Sequence, residues 1–190
     1  MGLKLAIFIS GRGSNMLSIM KACEKSDFPA EISVVLSNNP KADGIISAQK
    51  AGIATEIVNH KEYDNRADFE DKINKSLNKY DVDLIVLAGF MRILTPSFIE
   101  KWPKQIINIH PSLLPDYKGL NTHERAINDD RAESGCTVHF ASAELDSGAI
   151  ILQRKVAIID GDTPQTLAAR ILEQEHIAYP EAIKILAQSK

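Results

Sequence analysis

The sequence predicts an α/β fold, a doubly wound and mostly parallel sheet with a mixed or antiparallel edge. Three observations predict it. Short apolar runs alternate with segments of helical period from Leu3 to Ile109. A glycine-rich turn, Ser10-Gly11-Arg12-Gly13, directly follows the first of those runs. Beyond Cys136 the alternation stops: the runs Cys136–Ala141 and Ala149–Ile158 are separated by little more than Glu144–Gly148. A connection that short suits a hairpin and leaves no room for a crossover helix.

Leu3–Ile9 is almost wholly apolar, as a strand buried on both faces should be. Ser14–Lys25 carries Met16, Leu17, Ile19, Met20 and Cys23 as a helical stripe. Ile32–Leu36 reads as the second strand and Lys41–Ala51 as the second helix, ended by Gly52 in the position past the C-cap that favours glycine. Ile53–Val58 is a third short strand. In Arg66–Lys79 the apolar residues Phe69, Ile73 and Leu77 recur every fourth position, which predicts an amphipathic helix. Val82–Ala88 and Gln105–Ile109 are the fourth and fifth strands, with right-handed crossovers expected between parallel neighbours. Thr163 and Pro164 suit the N-cap and first-turn positions of a last helix running to about Ser189. Pro180 near its middle predicts a kink or a break. No repeat, low-complexity tract or linker interrupts the chain, so residues 1–190 are expected to form one domain.

Composition narrows the function classes. A chain of 190 residues buries a substantial core without disulfides or metal. A net charge of −3 with no basic cluster argues against a nucleic-acid surface. No apolar stretch reaches membrane-spanning length, and the first apolar run is too short for a signal sequence, so a cytoplasmic location is expected. Cys23 and Cys136 lie far apart without C-x-x-C spacing or flanking histidines; they read as structural thiols, and no metal site is expected.

The segment Asn108-Ile109-His110-Pro111-Ser112-Leu113-Leu114-Pro115 carries the most chemistry. Asn108 and His110, spaced i, i+2 at a strand end, project to one face, and Pro111 stops the ladder. An amide donor and an imidazole at the C-terminal end of a parallel strand suit a reaction in which an oxygen gains charge and a proton moves. The structural alternative is a strand end capped by satisfied polar groups. Ser10–Asn15 opens a helix and is either a tight βα turn capped by Ser14 or Asn15 or a site where free N–H groups and the dipole favour an anion. It lacks the third glycine of a dinucleotide fingerprint and the G-K-[ST] of a P-loop, so one phosphate fits better than a pyrophosphate. Ala88–Leu94 is a mostly apolar loop with one arginine, suited to a flat ligand or simply to packing. Asp146, in Leu145-Asp146-Ser147-Gly148, either caps its own turn or folds over to pair with His110. His60, His123, His139 and His176 receive no role: His139 reads as a satisfied sheet residue, and His123 falls in a flexible, exposed stretch.

Taken together, Gly-x-Gly-Ser-Asn at 11–15, Ala88–Leu94, Asn108–Pro115 and Leu145–Gly148 closely resemble the phosphoribosylglycinamide formyltransferase family, over essentially the whole chain. The resemblance implies a Rossmann-like formyltransferase fold and transfer of a formyl group from 10-formyltetrahydrofolate to the amine of glycinamide ribonucleotide. It implies Asn108, His110 and Asp146 as catalytic, and Gly13, Ser14 and Asn15 as the phosphate loop. Arg66, the segment Met91, Arg92, Ile93 and Leu94, Asn108, and the loop Ser142, Ala143, Glu144, Leu145 and Asp146 match positions that contact the folate. Glu175 resembles the acidic residue near the glycinamide substrate, and Lys118 and Gly119 fall in a loop over the site. Arg12 stands at a variable loop position, and the chain ends soon after its last helix; neither departure touches the catalytic set.

The implied partners are these two small molecules, with the protein a monomer or homodimer. Three other readings remain. A formyl-folate hydrolase would use the same trio with water as acceptor, but such enzymes usually carry an N-terminal regulatory domain, which a chain beginning on its first strand does not suggest. A transformylase acting on charged tRNA would need a basic face and a further domain. A non-catalytic nucleotide-binding module would not need Asn108, His110 and Asp146 together.

Overall fold

The structure, a computed structural model, describes residues 2–189. Seven strands form one sheet: β1 (Leu3–Ile9), β2 (Ala30–Ser37), β3 (Thr55–Ile57), β4 (Leu84–Leu87), β5 (Ile106–His110), β6 (Glu133–Phe140) and β7 (Ile150–Ala157). Their order is β3-β2-β1-β4-β5-β6-β7. Strands β1 to β5 run parallel, β6 is antiparallel to β5 and β7 to β6. The doubly wound sheet with an antiparallel edge is therefore as the sequence predicts.

Among the described residues six α-helices flank it: α1 (Ser14–Cys23), α2 (Asp43–Lys50), α3 (Arg66–Leu77), α4 (Pro96–Lys101), α5 (Thr122–Asn128) and α6 (Pro164–Gln188). The pleat sends alternate residues to opposite faces. Leu3, Leu5, Ile7 and Ile9 of β1 join Val86, Ile107 and the buried faces of α1, α2 and α6 in one core. Ala6 and Phe8 join Ile85, Ile106, Phe69, Ile73 and Phe98 in a second core under α3 and α4. Burial on both faces is why the central strands read as unbroken apolar runs.

Helix ends follow the local chemistry. Gly52, at φ +74°, ends α2: its N–H donates to Gln49 and the N–H of Ile53 to Ala48 at 3.0 Å each, which satisfies two terminal carbonyls. The Thr163 hydroxyl accepts the Thr166 N–H at 3.2 Å, with Pro164 in the first turn. Helix α6 runs without a break through Pro180, contrary to one of the two expected outcomes. Ala178, Tyr179, Ala182 and Ile183 around it are fully buried, and the Tyr179 hydroxyl donates to the carbonyls of Leu87 and Ile107. That anchoring holds the helix on the sheet across the one missing N–H.

Neither α4 nor α5 is legible in the sequence. Both are too short to show a helical period. Helix α4 does carry the Thr-Pro start also present at Thr163-Pro164: the Thr95 hydroxyl accepts the Phe98 N–H at 3.3 Å. Helix α5 contains His123, which is half-buried there and not exposed in a flexible stretch.

Candidate active site

Strands β1, β4 and β5 are adjacent and parallel, so the segments after Ile9, Leu87 and His110 emerge at one sheet edge. The chain's winding reverses between β1 and β4, and in open sheets that crevice is where ligands sit. Asn108 and His110 share a face with Ile106, which packs in the α3/α4 core. The register pairs Asn108 with His139 and His110 with Thr137.

His110 is 5% exposed. Its Nδ1 faces Oδ2 of Asp146 at 3.4 Å, and its Nε2 lies 2.9 Å from the Tyr117 carbonyl oxygen. Both ring nitrogens thus face acceptors, and only a ring carrying two protons donates to both. Asp146 is buried at φ +50°, and its Oδ2 also accepts the Gly119 N–H at 3.0 Å. It does not act as the cap of its own turn. The hydroxyls of Ser142 and Ser147 do that work instead, donating to the carbonyls of Glu144 and Leu145. Gly148 closes this loop against β6, where a Cβ would stand 1.8 Å from the Phe140 carbonyl oxygen, so only glycine fits.

Two features here escaped the sequence reading. His139, expected from sequence to be a satisfied sheet residue without a role, has Nε2 3.8 Å from Oδ1 of Asp146 and 3.4 Å from Nδ2 of Asn108. A polar i, i+2 pair, Thr137 and His139, alternating with apolar Cys136, Val138 and Phe140 was the available signal. The pairing register that gives it meaning is a tertiary fact. The second is the strap behind the site. The Thr137 hydroxyl donates to the Ser112 carbonyl at 2.7 Å and accepts from the Leu114 N–H at 3.0 Å and Gln153 Nε2 at 2.9 Å. This fixes the segment that carries the Tyr117 carbonyl to His110.

On the other side of the crevice, Gly13 adopts φ +71° and serves as N-cap of α1, with no side chain capping the first turn. The N–H groups at this helix start are therefore left to a ligand or to water. Asn15 turns its amide elsewhere, donating to Oε2 of Glu175 on α6 at 2.7 Å. The Asn15 side-chain oxygen Oδ1 is buried without a partner. Burial pushes the Glu175 carboxyl above its usual range, and the Asn15 hydrogen bond offsets this only in part.

Arg66 and Arg92 line one cavity of about 160 Å³ with His60, Tyr63, Asp64, Asn65 and Phe69. Met91 and Ile93 beside it are 75% and 59% exposed, whereas the Leu94 side chain packs into the α3/α4 core and offers a ligand little but backbone. Across the crevice Lys118 Nζ reaches Glu144 Oε1 at 3.3 Å and Ser147 Oγ at 2.5 Å, tying the loop after β5 to the loop after β6. Burial pushes the thiols up to about 11 at Cys23 and about 12 at Cys136, consistent with structural roles. Among the described residues, no group of three or more His, Cys, Asp or Glu is placed to hold a metal ion, and no helix is long and apolar enough to cross a membrane.

Comparison with known proteins agrees with this geometry. The formyl transferase family model matches residues 3–183. A phosphoribosylglycinamide formyltransferase from Haemophilus influenzae is 45% identical over 187 residues, which cover 98% of this chain and 88% of that one. The trifunctional purine biosynthetic protein adenosine-3 of Gallus gallus is 44% identical over 97% of this chain, which spans only 18% of that protein's length. The crystal structure of a phosphoribosylglycinamide formyltransferase from Brucella melitensis superposes with a TM-score of 0.95 at 43% identity, covering 98% of this chain and 96% of its own. With its sheet order, crevice and sequence all in agreement, the chain belongs to the formyl transferase family, among the phosphoribosylglycinamide formyltransferases.

Proposed function

We propose that this protein transfers the formyl group of 10-formyltetrahydrofolate to the amine of 5′-phosphoribosylglycinamide, by direct attack through a tetrahedral oxyanion. The observation that carries the mechanism is the buried His110, with Asp146 on one nitrogen and a carbonyl on the other. The Tyr117 carbonyl occupies the direction in which Nε2 donates, and the formyl oxygen takes its place when substrate binds. As the amine nitrogen bonds to the formyl carbon, the second Asn108 N–H and the His110 Nε2–H meet the developing oxyanion. Asp146 faces the ring at Nδ1 and so orients it, and accepts the proton lost by the amine, directly or through water. Collapse of the tetrahedral centre breaks the bond to the folate nitrogen, which takes its proton from His110. No side chain acts as a nucleophile.

The phosphate binds at the N–H groups of Gly13, Ser14 and Asn15, and Glu175 faces the glycinamide ribonucleotide. The folate lies along Met91–Leu94 and the Ser142–Asp146 loop, with Arg66 and Arg92 toward its acidic tail. The two guanidinium groups on one cavity, beside exposed Met91 and Ile93, support an anionic tail joined to a flat apolar body. The whole chain acts as one formyltransferase domain on small molecules. The test is the absorbance change on folate deformylation, measured with and without glycinamide ribonucleotide. Dependence on the nucleotide is expected. Equal deformylation in its absence would point to the hydrolase, with water as acceptor.

A further inference from the structure

We propose that His139 is the positioning residue for Asn108: a neutral ring that holds one amide N–H and so presents the other to the reacting oxygen. The inference rests on the formyl-transfer reading above. His139 stands directly opposite Asn108 in the antiparallel pairing of β5 and β6, on the same face, and is 2% exposed. Its Nδ1 lies 2.9 Å from the Phe140 carbonyl oxygen. A carbonyl has no proton to give, so Nδ1 carries the hydrogen of that bond. In a neutral ring Nε2 is then a bare acceptor, and the atom facing it at 3.4 Å is Nδ2 of Asn108.

The alternative partner of Nε2 is Oδ1 of Asp146, at 3.8 Å, too long for a hydrogen bond. Asp146 already serves His110 and the Gly119 N–H through Oδ2. Burial also holds the His139 ring below the usual histidine range, with the Phe140 bond and Asp146 acting against it and His110 acting with burial. A neutral His139 does two things at once. It leaves Asp146 to His110, and it fixes which end of the Asn108 amide faces the crevice. Without that acceptor the amide is free to rotate, and its carbonyl end would repel an oxyanion where its N–H end attracts one.

Two measurements on the full chain test this. Nitrogen-15 NMR of the histidine rings at neutral pH should find His139 uncharged and protonated at Nδ1. A charged ring, or a proton on Nε2, overturns the inference whatever the protein transfers. In steady-state kinetics, His139→Leu should lower kcat roughly tenfold or more with both KM values little changed. His139→Gln, whose side-chain oxygen reaches the place of Nε2, should recover most of the loss. In an Asn108→Ala background His139→Leu should cost roughly twofold or less, because the group it positions is gone. Additive losses, or a glutamine variant no better than leucine, overturn the inference. If the unmodified protein shows no transfer to glycinamide ribonucleotide, the functional reading fails and the ring spectrum still decides the state of His139.

Discussion

At His110, Nδ1 faces the Asp146 carboxylate and Nε2 the Tyr117 carbonyl, 3.4 and 2.9 Å away. Asp146→Asn keeps the shape of this contact and removes its charge. The expected result is a large fall in kcat with both KM values spared, since losing a preorganised electrostatic partner costs on the order of 3 kcal/mol, roughly a hundredfold or more in rate. In the proposed mechanism the two residues act as a unit, so His110→Ala combined with Asp146→Asn should be little worse than the poorer single variant. A double-mutant cycle on kcat at fixed pH checks this. Simple addition of the two penalties would leave Asp146 as a turn residue and no more. Asn108, His110 and Asp146 were all legible because their types and spacing carry a family pattern. The place of His139 was not, since a histidine inside an apolar strand has the same local appearance whether it faces a core or the Asn108 amide.

Between elements, Thr137 on β6 joins the segment after β5 to β7 through one hydroxyl that serves Ser112, Leu114 and Gln153. Thr137→Val replaces that hydroxyl with a methyl of similar size and leaves a buried N–H and carbonyl without their partner. The expected cost is about 1–3 kcal/mol of stability, read as a lowered urea midpoint at unchanged slope. The Leu114 amide should exchange faster in hydrogen-exchange measurements. An unchanged midpoint would mean that the strap is held elsewhere. Element type was readable wherever a segment was long and periodic, as in β1, α1, α3 and α6. It was unreadable in α4, six residues long, and in α5, seven, where less than two turns show no period.

Across the whole molecule, the Asn15–Glu175 bond joins residues 160 apart in sequence and ties the first helix to the last beside the crevice. The carboxyl is buried, and its pKa is raised by that burial. A carboxyl raised on folding holds its proton longer in the folded than in the unfolded chain. Its contribution is therefore present at acid pH and is lost as pH rises from the ordinary glutamate range through the raised value. Glu175→Gln should flatten this decline, making the variant more stable than the parent at neutral pH while raising KM for glycinamide ribonucleotide. Thermal midpoints across pH 4 to 8 check the first part, and profiles that stay parallel would contradict it.

What the sequence by itself determined is the set of features written in local pattern. These are the alternation that makes a parallel sheet, the hairpin-length connection that turns its edge antiparallel, the glycine turn that opens α1, and the polar pair Asn108 and His110 at the end of β5. Each follows from the period of a segment or the backbone needs of a turn. Only the tertiary structure decided which polar residues meet. The register of β6 on β5 sets His139 against Asn108, the fold-over of the Ser142–Ser147 loop brings Asp146 to His110, and the seating of α6 brings Glu175 to Asn15. Those contacts span from 31 to 160 residues of chain. They are fixed by the burial of two apolar cores on opposite faces of one sheet, a property of the packed whole that no short window contains.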